Sequence, residues 1–266
     1  MLFPPCQSNS QLTLPTTDQL TSMHKILVWD LPTRLFHWLL VLVISSQFIT
    51  GLLGGVWLNL HGLLGYLTLS LIVFRIFWGF WGGYWSRFIN FIPNPIRFFH
   101  YLKSTRICST FSRAPTRNHE LDNFRQHRTV PVSNPYPGHN PLGALSVFMM
   151  LLVLTLQVVS GLMSDDDIAF SGPFSRLVNN NTVDWMTWYH SCVGYYILLF
   201  LILLHVSAIL YYKFVKAEYL TSVMIHGYKK IEAPAVASID TMTKRLLALV
   251  FFLVSVLLVY LLLCLA

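Results

Sequence analysis

Five stretches of this chain run for about 20 residues almost without charge, long enough to cross a hydrocarbon core roughly 30 Å thick. They fall at about residues 35–55, 60–82, 142–163, 188–212 and 245–265, and the stretch Leu246 to Ala266 has no charge and almost no polar side chain. Only 11% of the residues are Asp, Glu, Lys or Arg, against about 25% in a soluble domain. The pattern predicts an all-α membrane protein. It argues against a soluble enzyme, a disordered chain and a nucleic-acid-binding domain. Residues 1–22 lack both a basic start and an apolar stretch, so the first apolar helix is expected to be retained rather than cleaved as a signal peptide.

The remaining charges sort by side. Residues 84–140 hold eight basic residues (Arg87, Arg97, Lys103, Arg106, Arg113, Arg117, Arg125 and Arg128) against Glu120 and Asp122. The segment after the fourth run holds Lys213, Lys216, Lys229, Lys230, Lys244 and Arg245. The connection between the third and fourth runs carries Asp165, Asp166, Asp167 and Asp184 against Arg176 alone, and residues 51–60 carry no charge. Lys and Arg accumulate on the cytoplasmic side of membrane proteins. The N-terminus is therefore expected inside and the C-terminus outside. Aromatic and basic residues interleave from Trp85 to Lys103, which predicts a short helix lying on membrane lipid; no nucleic-acid partner is expected there. Cys6, Cys108, Cys192 and Cys264 share no close spacing and no Cys-x-x-Cys-His is present, which excludes covalently attached haem and argues against a disulfide framework.

Ten histidines occur, of which His37, His61, His190 and His205 lie inside the apolar runs. Ionisable side chains at membrane depth are costly and face the bundle interior, so each is a site candidate. Topology sets their depths. His37 and His205 fall toward the cytoplasm, His61 and His190 toward the outer face. His190 and His205 are 15 residues apart, about 22 Å along a helix and about 60° in rotation, so they share roughly one face. Two layers of two imidazoles result, each drawn from different helices, an arrangement suited to axial ligation of haem iron inside a bundle. His61 and His190 also share the pattern His-x-x-x-Gly-Tyr. Gly65 and Gly194 would leave room there for a flat macrocycle, or serve as close contacts between membrane helices.

Arg75 lies 14 residues after His61, about 21 Å further in. That level suits pairing with haem propionates, or snorkelling to the inner surface; Arg34, one turn before His37, has the same two readings. Zinc or copper fits less well, because the layers are far apart and each supplies two ligands. A proton-coupled transporter is disfavoured because no Asp or Glu falls inside a run.

Trp29-Asp-Leu-Pro-Thr-Arg-Leu-Phe-His37-Trp38, Leu60-His-Gly-Leu-Leu-Gly-Tyr66, Arg75 with Trp78-Gly79, and Gly138-His-Asn-Pro-Leu-Gly143 resemble the bacterial cytochrome b561 family, which includes the b-type cytochrome subunits of nickel-iron hydrogenases. Gly161-Leu-Met-Ser-Asp-Asp-Asp-Ile-Ala-Phe-Ser-Gly-Pro173 is similar to members encoded beside periplasmic c-type cytochromes. The resemblance covers about Ile26 to Tyr212. It implies a four-helix transmembrane bundle in the bacterial inner membrane, with two bis-histidine b haems on His37, His61, His190 and His205. It also implies electron transfer between a quinone pool and a partner redox protein, as a subunit of a respiratory oxidoreductase rather than a stand-alone enzyme. The expected partner is a periplasmic c-type cytochrome; the alternatives are a hydrogenase-like enzyme anchored by this subunit and, from another class, a non-haem transporter or scaffold. A homo-oligomer fits as well.

Three parts are expected: a polar extension over residues 1–24, a core over 25–213 that includes the basic loop 84–140, and a cytoplasmic linker with a fifth helix over 214–266. Residues 104–137 read as an insertion, and Met23 is a natural start for the family. His139 fits a helix entry with Asn140 and Pro141, or a ligand or quinone contact. Asp165, Asp166 and Asp167 fit a docking patch for a basic cytochrome, or a solvated loop.

Overall fold

In the computed structural model, residues 24–92, 137–168, 170–231 and 235–265 are described. Most of the N-terminal extension, the candidate start Met23, Cys6, Cys108, residues 93–136 and the basic residues Arg97 to Arg128 lie outside the described residues.

Five helices are long and apolar enough to cross a membrane: α1 (Leu31–Leu53), α2 (Trp57–Trp81), α3 (Pro141–Met163), α4 (Asn180–Phe214) and α6 (Met242–Cys264). A short strand β1 (His24–Leu27) precedes α1; a one-to-two-turn helix α5 (Leu220–His226) and strand β2 (Tyr228–Ile231) lie between α4 and α6. The helix starts follow from capping chemistry. Asp30 accepts from Thr33 N at 2.9 Å ahead of Pro32, and Asn140 accepts from Gly143 N at 2.7 Å ahead of Pro141. His139 therefore stands at a helix entry, as its sequence context suggests. The α1–α2 turn uses Gly54 and Gly55 at φ +62° and +54°, which a side chain would strain.

Two differences from the sequence reading have simple causes. At 35 residues, α4 is about 50 Å long and starts eight residues before residue 188. Its first turns are polar and capped by Asn179, which accepts from Thr182 N at 2.9 Å, so they stand outside the apolar layer. The expected interfacial helix begins instead as two 3₁₀ turns, Tyr84–Ser86 and Phe88–Asn90. Part of this segment faces the protein: Ser86 is fully buried, and the Arg87 guanidinium donates to the Gly82 carbonyl at 3.1 Å, while Ile89 and Ile92 are exposed.

α2 is the central helix. One side packs Leu71, Phe74 and Trp78 with Phe36 and Val43 of α1 and Ala248 of α6. The other packs Ile72 with Leu154, Val158 and Leu162 of α3 and Leu198 of α4. Phe74 and Trp78 stack 6.0 Å apart, and α6 adds Phe252 at 6.2 Å from Phe74 and Phe251 at 6.5 Å from Trp78. The fifth helix thus completes the core.

At the inner end, β1 and β2 form an antiparallel ladder running from His24↔Ile231 to Leu27↔Tyr228. Ser238 Oγ donates to the Val28 carbonyl at 2.6 Å, and Trp85 Nε1 to the Val236 carbonyl at 2.8 Å. Beneath this plate lies Asp30, fully buried. Its Oδ1 accepts from Thr33 N (2.9 Å) and Trp78 Nε1 (3.1 Å), its Oδ2 from Gly83 N (2.8 Å) and Ser86 Oγ (2.9 Å). One carboxylate therefore joins the start of α1, the end of α2 and the following 3₁₀ turn.

Removing that acceptor leaves the backbone N–H groups of Thr33 and Gly83 dry, while the Trp78 indole keeps Thr33 Oγ1 at 3.2 Å. Asp30→Ala is expected to destabilise the protein by about 3 kcal/mol or more. Asp30→Asn, which keeps one acceptor oxygen, is expected to cost less than half as much, both read from denaturant midpoints in detergent.

Candidate functional site

In the outer half of the bundle, the rings of His61 (α2) and His190 (α4) lie 5.9 Å apart between centroids with their planes at 89°. Each ring is held from its own hairpin. His61 Nδ1 is 3.1 Å from the Gln47 carbonyl and 3.3 Å from Thr50 Oγ1. His190 Nδ1 is 2.8 Å from the Gln157 carbonyl and 3.3 Å from Ser160 Oγ. A carbonyl only accepts, so it fixes the imidazole proton on Nδ1 and leaves the Nε2 lone pair free to bind a metal.

The local sequence explains the match. Gln47-Phe-Ile-Thr50-Gly51 in α1 and Gln157-Val-Val-Ser160-Gly161 in α3 share Gln-x-x-Ser/Thr-Gly. Inside a helix the Gln carbonyl already pairs with the N–H four residues on, which belongs to the glycine, and keeps a second lone pair. A side chain at that glycine would obstruct the histidine: an added Cβ would come within 3.3 Å of the His61 ring at Gly51 and 2.7 Å of the His190 ring at Gly161. The roles of Gln47, Thr50, Gly51, Gln157 and Ser160 were not read from sequence, and Gly161 entered only as the start of a longer motif; the repeated pentapeptide was the available signal.

Between the rings lies a cavity of about 470 Å³, lined on its apolar sides by Ile44, Phe48, Leu154 and Leu198 and bordered by Tyr66 and Tyr195. Phe170 from the outer loop packs on Gly62, where an added Cβ would lie 2.8 Å from its ring. Gly65 lines the cavity, and a Cβ there would make only an ordinary 3.6 Å contact with Gln47 Nε2. Gly194 faces the Gln157 side chain and Tyr189 instead. Around His190, α4 widens into a π-helical turn, Tyr189–Gly194, a feature common at functional sites.

The inner end is built differently. His205 lies within charge–charge range of both His37 and His139. The His139 ring sits between Trp29 (4.7 Å) and Phe91 (4.5 Å). Arg75, 4% exposed, lays its guanidinium over the Phe88 ring at 4.6 Å. It is enclosed by protein and does not snorkel. Arg34 does reach outward, donating to the Ile225 carbonyl at 2.7 Å. Among the described residues, the buried side-chain atoms without a hydrogen-bond partner are Arg34 Nε, His37 Nδ1, Arg75 Nη1, His139 Nδ1 and Gln157 Oε1. Four of the five are nitrogens of the inner end, a concentration that a bound acceptor would explain. Burial pushes the His139 imidazole down to about 3, with the charges of Arg75 and His205 acting in the same direction.

Asp165 and Asp166 stand at the outer rim of the cavity. Their carboxylates shape the loop: Asp165 Oδ1 accepts from Asp167 N (2.8 Å), and Asp166 Oδ1 from Ile168 N (3.1 Å) and Phe170 N (2.8 Å). No three His, Cys, Asp or Glu side chains converge on a metal-binding geometry among the described residues.

Two facing, half-buried imidazoles beside an apolar cavity in a membrane bundle are an arrangement suited to a haem-binding membrane protein. The model of the prokaryotic cytochrome b561 family matches residues 28–227, and the chain belongs to that family. It is a membrane b-type cytochrome that binds haem b and takes part in electron transfer. No curated protein and no solved structure matches it.

Two outcomes follow. Gly161→Ala is expected to lower the haem-to-protein ratio after purification, while Gly65→Ala leaves it nearly unchanged. His139 is neutral in the fold but protonates near its ordinary 6.5 once unfolded, so stability falls as pH drops from about 6.5 toward about 3. In His139→Phe that acid dependence should be shallower by up to one proton, read from denaturant midpoints against pH.

Proposed function

We propose that the chain is a dihaem cytochrome that relays electrons between the quinone pool and a periplasmic redox partner, a c-type cytochrome in the first instance. His61 and His190 would hold an outer haem, His37 and His205 an inner one. The observation that carries the reading is the shared tether: both outer imidazoles donate through Nδ1 to a glutamine carbonyl and turn Nε2 toward the same cavity. The 5.9 Å between the His61 and His190 ring centroids would leave both imidazoles within reach of a single iron. The unpartnered nitrogens of Arg75 and His37 support an acceptor-bearing group at the inner level, with Arg75 as counter-ion to propionates.

When bound, haem iron supplies the one-electron chemistry by alternating between the ferric and ferrous states. The chain's residues do the rest. The four histidines would hold the iron by two imidazoles at each site, which would suit electron relay rather than substrate binding. Ile44, Phe48, Leu154 and Leu198 keep water from the outer site. Asp165 and Asp166 place negative charge at the outer rim, where it would steer a basic partner. The basic residues of residues 213–245 would mark the inner side, with the N-terminus in the cytoplasm and the C-terminus in the periplasm. Residues 25–213 would form the functional core, with 214–266 closing it from the inner side and along α2.

Haem quantification with reduced-minus-oxidised spectra tests this directly. Two haems per chain are expected. His61→Ala and His190→Ala should each lose the same haem, His37→Ala and His205→Ala the other. Retention of both haems in all four variants would overturn the ligand set.

A further inference from the structure

The two halves of the outer site share a sequence pattern but not a geometry. In the α1–α2 hairpin, the Gln47 side chain accepts from Thr68 Oγ1 at 3.0 Å, and α2 has no π-helical turn beside His61. The residue seven positions after His190, as Thr68 is after His61, is the apolar Ile197. Gln157 has no such partner and turns to the ligand helix instead: its Nε2 donates to the His190 carbonyl at 2.7 Å. That carbonyl lies in the π turn Tyr189–Gly194, and a Cβ on Gly194 would fall on Gln157 Oε1. The same glutamine accepts the His190 Nδ1 proton on its backbone carbonyl at 2.8 Å, against 3.1 Å for His61 on Gln47. His190 is therefore gripped at both ring and backbone by one residue, whereas His61 is held at the ring alone.

We infer that Gln157 is a positioning residue for the outer haem: its side-chain amide holds the π turn that sets the plane of the His190 imidazole and the strength of its Nδ1 hydrogen bond. The inference rests on the reading of His61 and His190 as axial ligands. A shorter Nδ1–H···O=C bond makes the imidazole a stronger donor to iron, which favours the ferric form and lowers the potential. The perpendicular planes of the two rings should give a strongly anisotropic low-spin ferric signal.

The test uses the full chain purified with its haems. Gln157→Met keeps side-chain length and the backbone carbonyl but removes the amide donor. The outer haem's electron paramagnetic resonance signal should become less anisotropic. Its reduced-to-oxidised ratio at a fixed ambient potential should rise about fivefold, the effect of losing roughly 1 kcal/mol of hydrogen bonding. The inner haem's signal and potential should stay as they were. Gly194→Ala pushes on the same amide from the other side and should move the same signal, which keeps the test open if Gln157→Met does not assemble. An unchanged outer signal and potential in a fully loaded Gln157→Met, or in Gly194→Ala where the first variant cannot be made, would overturn the inference. Failure of the ligand reading shows elsewhere, as His61→Ala retaining both haems.

Discussion

A helix has no hydrogen-bonding capacity to spare except the second lone pair on each carbonyl, and the outer site depends on two of them. Gln47 and Gln157 each keep their helical partner and accept an imidazole N–H as well. This double use is possible only because the next residue up the same face is glycine, at positions 51 and 161. In a lipid environment an imidazole with an idle N–H would be costly. The tether therefore does two things with one bond: it lowers the cost of burying the ring and aims its other nitrogen. The small residue, the carbonyl and the imidazole form a single device, and the chain contains it twice.

The inner end solves a different problem. There the chain must close a bundle whose polar groups cannot all be satisfied from within. Asp30 takes four donors and knits α1, α2 and the following turns together. Arg75 has the aromatic face of Phe88 and an unpartnered nitrogen. The outer layer is thus a site completed by its own backbone, and the inner layer is one with donors left over.

Much of this was legible in the sequence. Five apolar runs became five helices with boundaries shifted by a few residues, and the spacing of the histidines foretold the outer pair that the rings of His61 and His190 form. Long uniform runs read well because lipid leaves the backbone few choices. The polar overhang of α4 did not read well, because hydropathy stops where the apolar layer stops while helical hydrogen bonding continues to Asn180. The tethers were missed for another reason: attention to ionisable residues passes over a glutamine whose contribution is a main-chain oxygen. The π turn was hidden too, since it depends on a partner 33 residues away, Gln157 bonding to the His190 carbonyl. The ladder between β1 and β2 was invisible because four-residue strands carry no periodicity long enough to detect.

That ladder bears on how the molecule is made. β1 lies just ahead of the first membrane helix, and its partner is not synthesised until the fourth has been completed. The oldest part of the structure to emerge therefore waits for one of the youngest, and the inner plate can close only after all four core helices are threaded. Until then the end of the bundle holding His37, Arg75 and His139 has no cover from residues 228–231 and 235–238. Assembly order, and not sequence order, decides when that end is sealed.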